Sequence, residues 1–267
     1  MKIISSILIV LASCFLNSCG FSNKTTTPTE PKVQRIPAKF DFSPPSREKP
    51  GATKLTIAIV KPIYLDKHVQ ENPEYFVPPF NEMAESMGND FEELLTAKGF
   101  TVRGPFGSRD EMVYNDKLNS NIVMEIGIKL SPQMFNRKYT RYTHSPSFGE
   151  LLANKNAPTT STYKMSGEIT LSGSLIIAAR SPEYGELIWK KNIALEPQSF
   201  TYNGQEVWSS LPNVKDELSH DNVVYNKLST ELEKFYMKAL DLTWRQIDPD
   251  EIKIVARQAK EADDKSK

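Results

Sequence analysis

The sequence has almost no cysteine and no net charge. Its only two cysteines, Cys14 and Cys19, lie within the first 20 of 267 residues, and 33 basic side chains balance 33 acidic ones. The body of the chain therefore contains no disulfide framework. The balanced charge gives no electrostatic reason to expect nucleic acid as a partner. With 39% hydrophobic residues, the chain has to be held together by burial of apolar side chains.

Recognisable catalytic and metal-binding motifs are also lacking. The sequence contains no G-x-S-x-G elbow, no G-x-x-x-x-G-K-[ST] loop and no G-x-G-x-x-G turn. The three histidines, His68, His144 and His220, have no histidine at i+4 and no cysteine nearby, so we expect no metal site. A pair of carboxylates acting as acid and base is the one catalytic arrangement left open. We expect a non-enzymatic protein without a cofactor.

The N-terminus has the pattern of a secretory leader. Lys2 precedes an apolar run that is too short to span about 30 Å of hydrocarbon, which indicates a signal peptide and not a transmembrane helix. Leu16-Asn17-Ser18-Cys19 resembles the lipobox of bacterial lipoproteins, in which the cysteine is acylated and becomes the new N-terminus. Leu11-Ala12-Ser13-Cys14 is the alternative, and a Cys14–Cys19 disulfide in an uncleaved leader is a third. We favour residues 1–18 as the signal peptide and Cys19 as the lipidated residue.

Residues 19–53 are expected to form a flexible tether. The segment is rich in proline and threonine and has few large apolar residues, so it cannot bury enough surface to offset its chain entropy. Ile36, Phe40 and Phe42 are the exceptions, and this part of the tether could dock on the domain as an edge strand. We assign residues 54–248 to a globular domain and residues 249–267 to a C-terminal helix with a frayed tail.

Hydrophobic periodicity predicts the elements of the domain. Strands are expected after Lys54, at 100–104 and at 121–130, and in the last of these the even-numbered apolar residues share one face. Apolar spacings of three and four predict a helix after Pro79, ending at Gly99, and a long helix whose apolar stripe runs from Val224 to Leu242. Asp248, Pro249 and Glu251 predict a capped final helix.

The stretch between these elements reads as a loop followed by a hairpin. Pro132 is expected to end its strand, and 131–162 to form a long surface loop. A hairpin with strands at about 163–179 and 187–195 should follow. We predict an α+β fold: one mixed, largely antiparallel sheet with a long β-ribbon and helices packed on one face.

A basic and aromatic segment within the expected loop is the candidate binding site. Its residues are Arg137, Lys138, Tyr139, Arg141 and Tyr142. Cations suit a carboxylate such as that of a sialic acid, and a tyrosine ring can stack on the apolar face of a sugar. A solvated, positively charged loop is the alternative interpretation.

The order of these pieces resembles the neuraminyllactose-binding haemagglutinin family of Helicobacter lipoproteins, also called flagellar sheath adhesins. The resemblance rests on the lipobox, on "KLTIAIVKP" followed by "FNEMAESMGNDFEELLTAKGFTV", and on "NIVMEIGIKLSP" followed by the ribbon and long helix. It implies a palmitate-carrying outer-membrane lipoprotein with haemagglutinin activity, whose sialic-acid-binding stretch falls by position on residues 136–141. The stretch is less lysine-rich here, which is typical of a divergent paralogue.

Two functions follow as expectations. The first is a lipid-anchored adhesin at the cell surface or flagellar sheath, which binds sialylated glycans or host surface proteins. The second is a structural or envelope-assembly lipoprotein that faces the periplasm and binds another protein through its sheet edge or ribbon. In both, the lipid anchor is the contact with the membrane.

Overall fold

A single twisted sheet of six strands organises the part of the chain described by the computed structural model, residues 32–66, 71 and 73–267. The compact folded unit comprises Val33–Lys267. Its strands are β1 (Thr56–Val60), β2 (Ile63–Tyr64), β3 (Thr101–Phe106), β4 (Ile122–His144), β5 (Thr160–Arg180) and β6 (Leu187–Trp208). The leader and both cysteines lie outside the described residues.

The sheet is mixed, and its antiparallel part is the larger. The strand order is β3-β1-β4-β5-β6, with β2 paired to β4 beyond the end of β1. β1 runs parallel to β3 and β4, whereas β4, β5 and β6 form an antiparallel ribbon. Strands of 21 to 23 residues make this ribbon about 70 Å long if it were straight. The α+β prediction is confirmed.

The larger helices cover one face of the sheet. The helices of the described chain are α1 (Phe80–Ala97), α2 (Tyr114–Leu118), α3 (Phe148–Ala153), α4 (Val214–His220), α5 (Asn222–Gln246) and α6 (Pro249–Lys265), with a 3-10 turn at Pro73–Phe76. The main core lies between the sheet and the apolar faces of α1, α5 and α6. A smaller cluster around Met112 covers β1 on the opposite face.

The strongly periodic segments have the predicted structure. In β4 the even-numbered residues from Ile122 to Leu130 are buried in the main core, as are the odd-numbered residues of β5 from Ile169 to Ile177 that are apolar. α1 ends before Gly99, whose φ of +87° is the left-handed conformation that glycine adopts readily. Asp248 caps α6 by accepting a hydrogen bond from the backbone of Asp250.

The expected loop at 131–162 is mostly strand, so that prediction is wrong. β4 continues through Pro132 to His144, and β5 begins at Thr160. The second hairpin strand likewise extends to Trp208 and not to Leu195. Alternation failed as a signal because a β-bulge between Phe135 and Lys138 changes which residues face the helices, and because residues 138–144 of β4 are exposed on either face.

Residues 33–53 pack against the domain, which differs from the expected tether. Phe40 and Phe42 are buried, and Phe40 lies 5.2 Å from the ring of Tyr236. The backbone amide of Phe42 donates to Asp90, and the Arg35 guanidinium stacks over Tyr225. The segment docks as the sequence allowed, but as an extended strap with no strand pairing.

The C-terminal helix is more firmly attached than expected. Asp263 lies in the segment predicted to fray, yet it is buried and accepts hydrogen bonds from the backbone amides of Glu183 and Tyr184. Glu251 does not form the predicted capping box. Its carboxylate instead accepts from the indole of Trp189, so this residue joins α6 to the sheet.

Candidate functional site

The predicted basic segment lies in the outer half of the β-ribbon, and strand geometry divides its residues between two faces. After the bulge at Asn136, whose φ is +50°, β4 pairs Lys138 with Ser166 and Tyr139 with Met165. Met165 is buried, so Tyr139 and Arg141 share the face that carries the helices. Lys138 and Tyr142 are on the opposite, outer face. The five predicted residues therefore do not form one site.

Arg137 forms an ion pair with a buried carboxylate, and its assignment as a sugar ligand stays a prediction. Its guanidinium donates to a carboxylate oxygen of Glu217 at 2.8 Å and to the carbonyl of Pro212 at 2.8 Å. The Glu217 side chain is 1% exposed and that of Arg137 28%. Through these contacts Arg137 holds the ribbon against α4.

Burial sets the electrostatics of this ion pair. Desolvation raises the pKa of Glu217, and the Arg137 guanidinium acts in the opposite direction. The hydroxyl of Tyr202 lies beside both groups, and burial together with the Glu217 charge raises its pKa to about 12. Three buried atoms of this cluster, Arg137 Nε, Glu217 Oε1 and Tyr202 Oη, have no hydrogen-bond partner among the described residues. An ordered water can satisfy such a group of atoms.

Asp221 fixes the neighbouring part of the ribbon. One carboxylate oxygen accepts from the backbone amides of Gln205 and Glu206 at 2.7 and 2.9 Å, within an irregularity of β6. The other accepts from Val223 and Val224 and caps α5. A single buried carboxylate thus holds the strand and the helix in a fixed relation.

The helix-side residues of the outer ribbon contact one another. The Arg141 guanidinium donates to the hydroxyl of Ser161 at 3.0 and 2.8 Å, and the rings of Tyr139 and Tyr163 meet edge to face at 5.7 Å. Arg141 and Tyr139 remain exposed. They form a polar and aromatic surface that is separate from Lys138 and Tyr142.

The outer face carries the more open basic surface, which we name the outer patch: Lys138, Thr140, Tyr142 and Lys164. Thr140 pairs directly with Lys164, and Lys138 and Tyr142 lie two residues along β4 on either side of Thr140. Diagonal neighbours on one face lie roughly 7–8 Å apart, so Lys164 is beside both Lys138 and Tyr142. Within the described part of the chain neither lysine makes an ion pair. Sequence reasoning missed Lys164 because only the strand register brings it beside Lys138.

The two histidines of the described chain, His144 and His220, form no shared site. His144 lies 3.8 Å from Glu150 at the end of the ribbon, and His220 packs edge to face against Trp208. His68 lies outside the described residues. Across the described ranges, no group of three His, Cys, Asp or Glu side chains is arranged to hold a metal ion. In the same ranges, no helix is both long and apolar enough to cross a membrane.

Comparison with solved structures gives a fold relationship. A neuraminyllactose-binding hemagglutinin homolog from Helicobacter pylori has 11% sequence identity and a TM-score of 0.51, and the match covers 82% of this chain and 98% of that one. A Neisseria meningitidis lipoprotein matches 66% of this chain and 99% of its own at 11% identity, with a TM-score of only 0.24. No protein-family model and no curated protein matches the sequence. The first likeness establishes a shared fold and not membership of the family.

Proposed function

We propose that this protein is a non-enzymatic, lipid-anchored surface lipoprotein that binds a sialylated glycan through the outer patch. The observation that carries the proposal is the position of Lys138, Tyr142 and Lys164 on one face of the ribbon, with the hydroxyl-bearing Thr140 between them; Lys138 and Tyr142 are exposed and Lys164 is half-buried. Two ammonium groups complement a sugar carboxylate, and a tyrosine ring offers a flat apolar surface to a pyranose. The hemagglutinin homolog that shares the fold supports this ligand class.

The attachment and location belong to the same proposal. Cys19 would carry the acyl groups, with Cys14 as the alternative, and stable attachment needs at least two acyl chains or one chain with a second signal. Contacts between two lysines and one sugar are individually weak, so binding to cells would depend on many anchored copies acting together. The outer membrane, at the cell surface or the flagellar sheath, is the location that suits such a binder.

A glycan array with matched variants tests the binding site. The double variant Lys138→Glu/Lys164→Glu should lose binding to sialylated glycans, because two attractive charges become repulsive towards the sugar carboxylate. The control is Lys129→Glu/Lys190→Glu, which makes the same charge change among exposed residues on the same sheet face, away from the outer patch. Equal binding by both double variants would remove the outer patch from the function, and no binding by the wild type would reject the glycan ligand.

The envelope-assembly alternative predicts a different orientation. The end strands of the described sheet are β3 and β6. β6 contains Pro197 and the exposed Lys190, and β3 contains Pro105, features that oppose addition of another strand. Protease treatment of intact cells separates the two functions. Release of peptides from the folded unit, with acyl groups on the Cys19 peptide, is the result expected for a surface adhesin. Full protection would favour the periplasmic protein.

A further inference from the structure

The far end of the ribbon carries an apolar surface that the sugar-binding proposal does not use. α3 lies in the connection between β4 and β5, and its three large apolar side chains protrude: Phe148 is 77% exposed, Leu152 70% and Leu151 39%. None of the three belongs to either hydrophobic cluster of the described chain. Scattered single apolar residues are ordinary on a surface, but three in one six-residue helix are not.

Local hydrogen bonds hold this helix in place. The hydroxyl of Ser147 accepts from the backbone of Glu150, and the Glu150 carboxylate accepts from the backbone and hydroxyl of Ser147, which forms a complete capping box. These bonds also lower the pKa of Glu150, so the carboxylate remains charged in mildly acidic medium. The helix is thus closed by its own polar groups while its apolar residues face solvent.

The chain segment that carries α3 has a net positive charge. Between Lys138 and Lys164 the chain has four cations, Lys138, Arg141, Lys155 and Lys164, and one acidic residue, Glu150, although the whole protein has no net charge. Tyr139 and Tyr142 stand among these cations and are 55% and 52% exposed. Apolar residues at the front with tyrosines and cations behind them are typical of a surface that contacts the interface of a negatively charged bilayer.

The spacing fits a ligand that is itself held in a bilayer. Tyr142 of the outer patch lies two residues before His144, the last residue of β4. α3 begins at Phe148, four residues after His144. The outer patch is therefore roughly 10–20 Å behind Phe148. A helix that lies at the boundary of headgroups and acyl chains would place the outer patch above the headgroup layer, which is about 5–8 Å thick. The sugars of a glycolipid project into that space.

We infer that α3 contacts the lipid bilayer in which the sialylated ligand is anchored, so that the ligand class is a glycolipid and not a glycoprotein or a free oligosaccharide. The inference rests on the proposed function, because it adds the lipid to the sugar already assigned to the outer patch. Phe148 and Leu152 enter the interface, and Lys155 lies close to its negative charge. The sugar determines which membrane is bound, and the apolar helix strengthens the attachment.

Vesicle binding by the unacylated chain from Gly20 onward tests the inference, since this chain contains the whole folded unit without leader or lipid. Three vesicles are compared: phosphatidylcholine alone, phosphatidylcholine with a ganglioside whose headgroup is sialyllactose, and phosphatidylcholine with phosphatidylserine. Soluble sialyllactose is measured in parallel. We expect the ganglioside vesicles to bind best, and Phe148→Ser/Leu152→Ser to weaken that binding about tenfold or more while leaving affinity for soluble sialyllactose unchanged.

Matched variants make the outcomes distinguishable. Met237→Ser/Ile254→Ser removes two exposed apolar residues, 40% and 54% accessible, from α5 and α6, and should bind vesicles as the wild type does. Wild-type binding by the Phe148/Leu152 variant would overturn the inference while leaving the sugar site intact. Equal binding to phosphatidylserine vesicles would reject the glycolipid. Insensitivity of both soluble sugar and vesicles to the Lys138/Lys164 variant would reject the proposed function itself.

Discussion

Replacement of Arg137 by methionine should destabilise the fold instead of only weakening ligand binding. The change leaves the carboxylate of Glu217, whose side chain is 1% exposed, without its compensating charge. Loss of one partner of a buried ion pair costs about 3–5 kcal/mol. Because 28% of the Arg137 side chain is exposed, water can partly solvate the Glu217 carboxylate in the variant. We therefore expect a loss of stability at the lower end of this range, about 3 kcal/mol. In a domain of this size that corresponds to a fall in Tm of roughly 6–12 °C.

Urea unfolding followed by circular dichroism measures the effect. Lys138→Met is the control, because the neighbouring lysine is exposed and makes no ion pair within the described structure. The double variant Arg137→Met/Glu217→Gln should recover most of the lost free energy of unfolding, since it removes the uncompensated charge. If Arg137→Met changes the free energy of unfolding by less than about 0.5 kcal/mol, as surface substitutions usually do, the structural role of Arg137 is refuted.

The pH dependence gives a second readout of the same ion pair. Desolvation raises the pKa of Glu217 in the folded protein above its ordinary value of 4.5, and Arg137 opposes that rise. A carboxyl group with a raised folded pKa binds more protons folded than unfolded, so its contribution to stability falls as pH rises from 4.5 through the folded pKa. Without Arg137 the folded pKa rises further. The destabilisation by Arg137→Met should therefore be small below pH 4.5. It should be complete only above the pKa that Glu217 has in the folded variant.

Three further variants test other parts of the fold. In Gly173→Ala the added Cβ would lie 2.1 Å from the carbonyl oxygen of Lys129, so β4 and β5 must separate and thermal unfolding should show a loss of about 1–3 kcal/mol. Phe40→Ala/Phe42→Ala should lower the free energy of unfolding by at least about 3 kcal/mol if residues 33–53 are part of the core. An unchanged urea midpoint would support a flexible tether instead. Asp221→Ala removes the acceptor for four backbone amides, and we expect a loss of at least about 2 kcal/mol with faster amide hydrogen exchange at the start of α5.

Local sequence information identified the elements of the core but not the extent of the ribbon. α1 and the inner part of β4 were predicted because each has an apolar face packed into the main core, which leaves a regular apolar period in the sequence. The outer part of β4 has no such period because residues 138–144 are exposed on either face, and backbone pairing with β5 holds this part in place. A strand of this kind is easily mistaken for a loop.

The candidate site could be predicted in composition but not in arrangement. Arg137 and Lys138 are adjacent cations in the sequence, and nothing local separates their roles. The bulge at Asn136 directs Arg137 towards Glu217, 80 residues later in the chain, while Lys138 faces outward. Lys164 joins Lys138 only through strand register.

The sequence by itself determined the α+β class, the lack of disulfides in the body of the chain and the positions of the periodic helices and strands, because these depend on composition and on contacts between near neighbours. Tertiary structure decided which cation is buried, which lysines share a face, and that residues 33–53 belong to the folded unit. These properties depend on groups brought together from distant parts of the chain. The free energy of burying Phe42 or Glu217 is set by partners that no local pattern specifies.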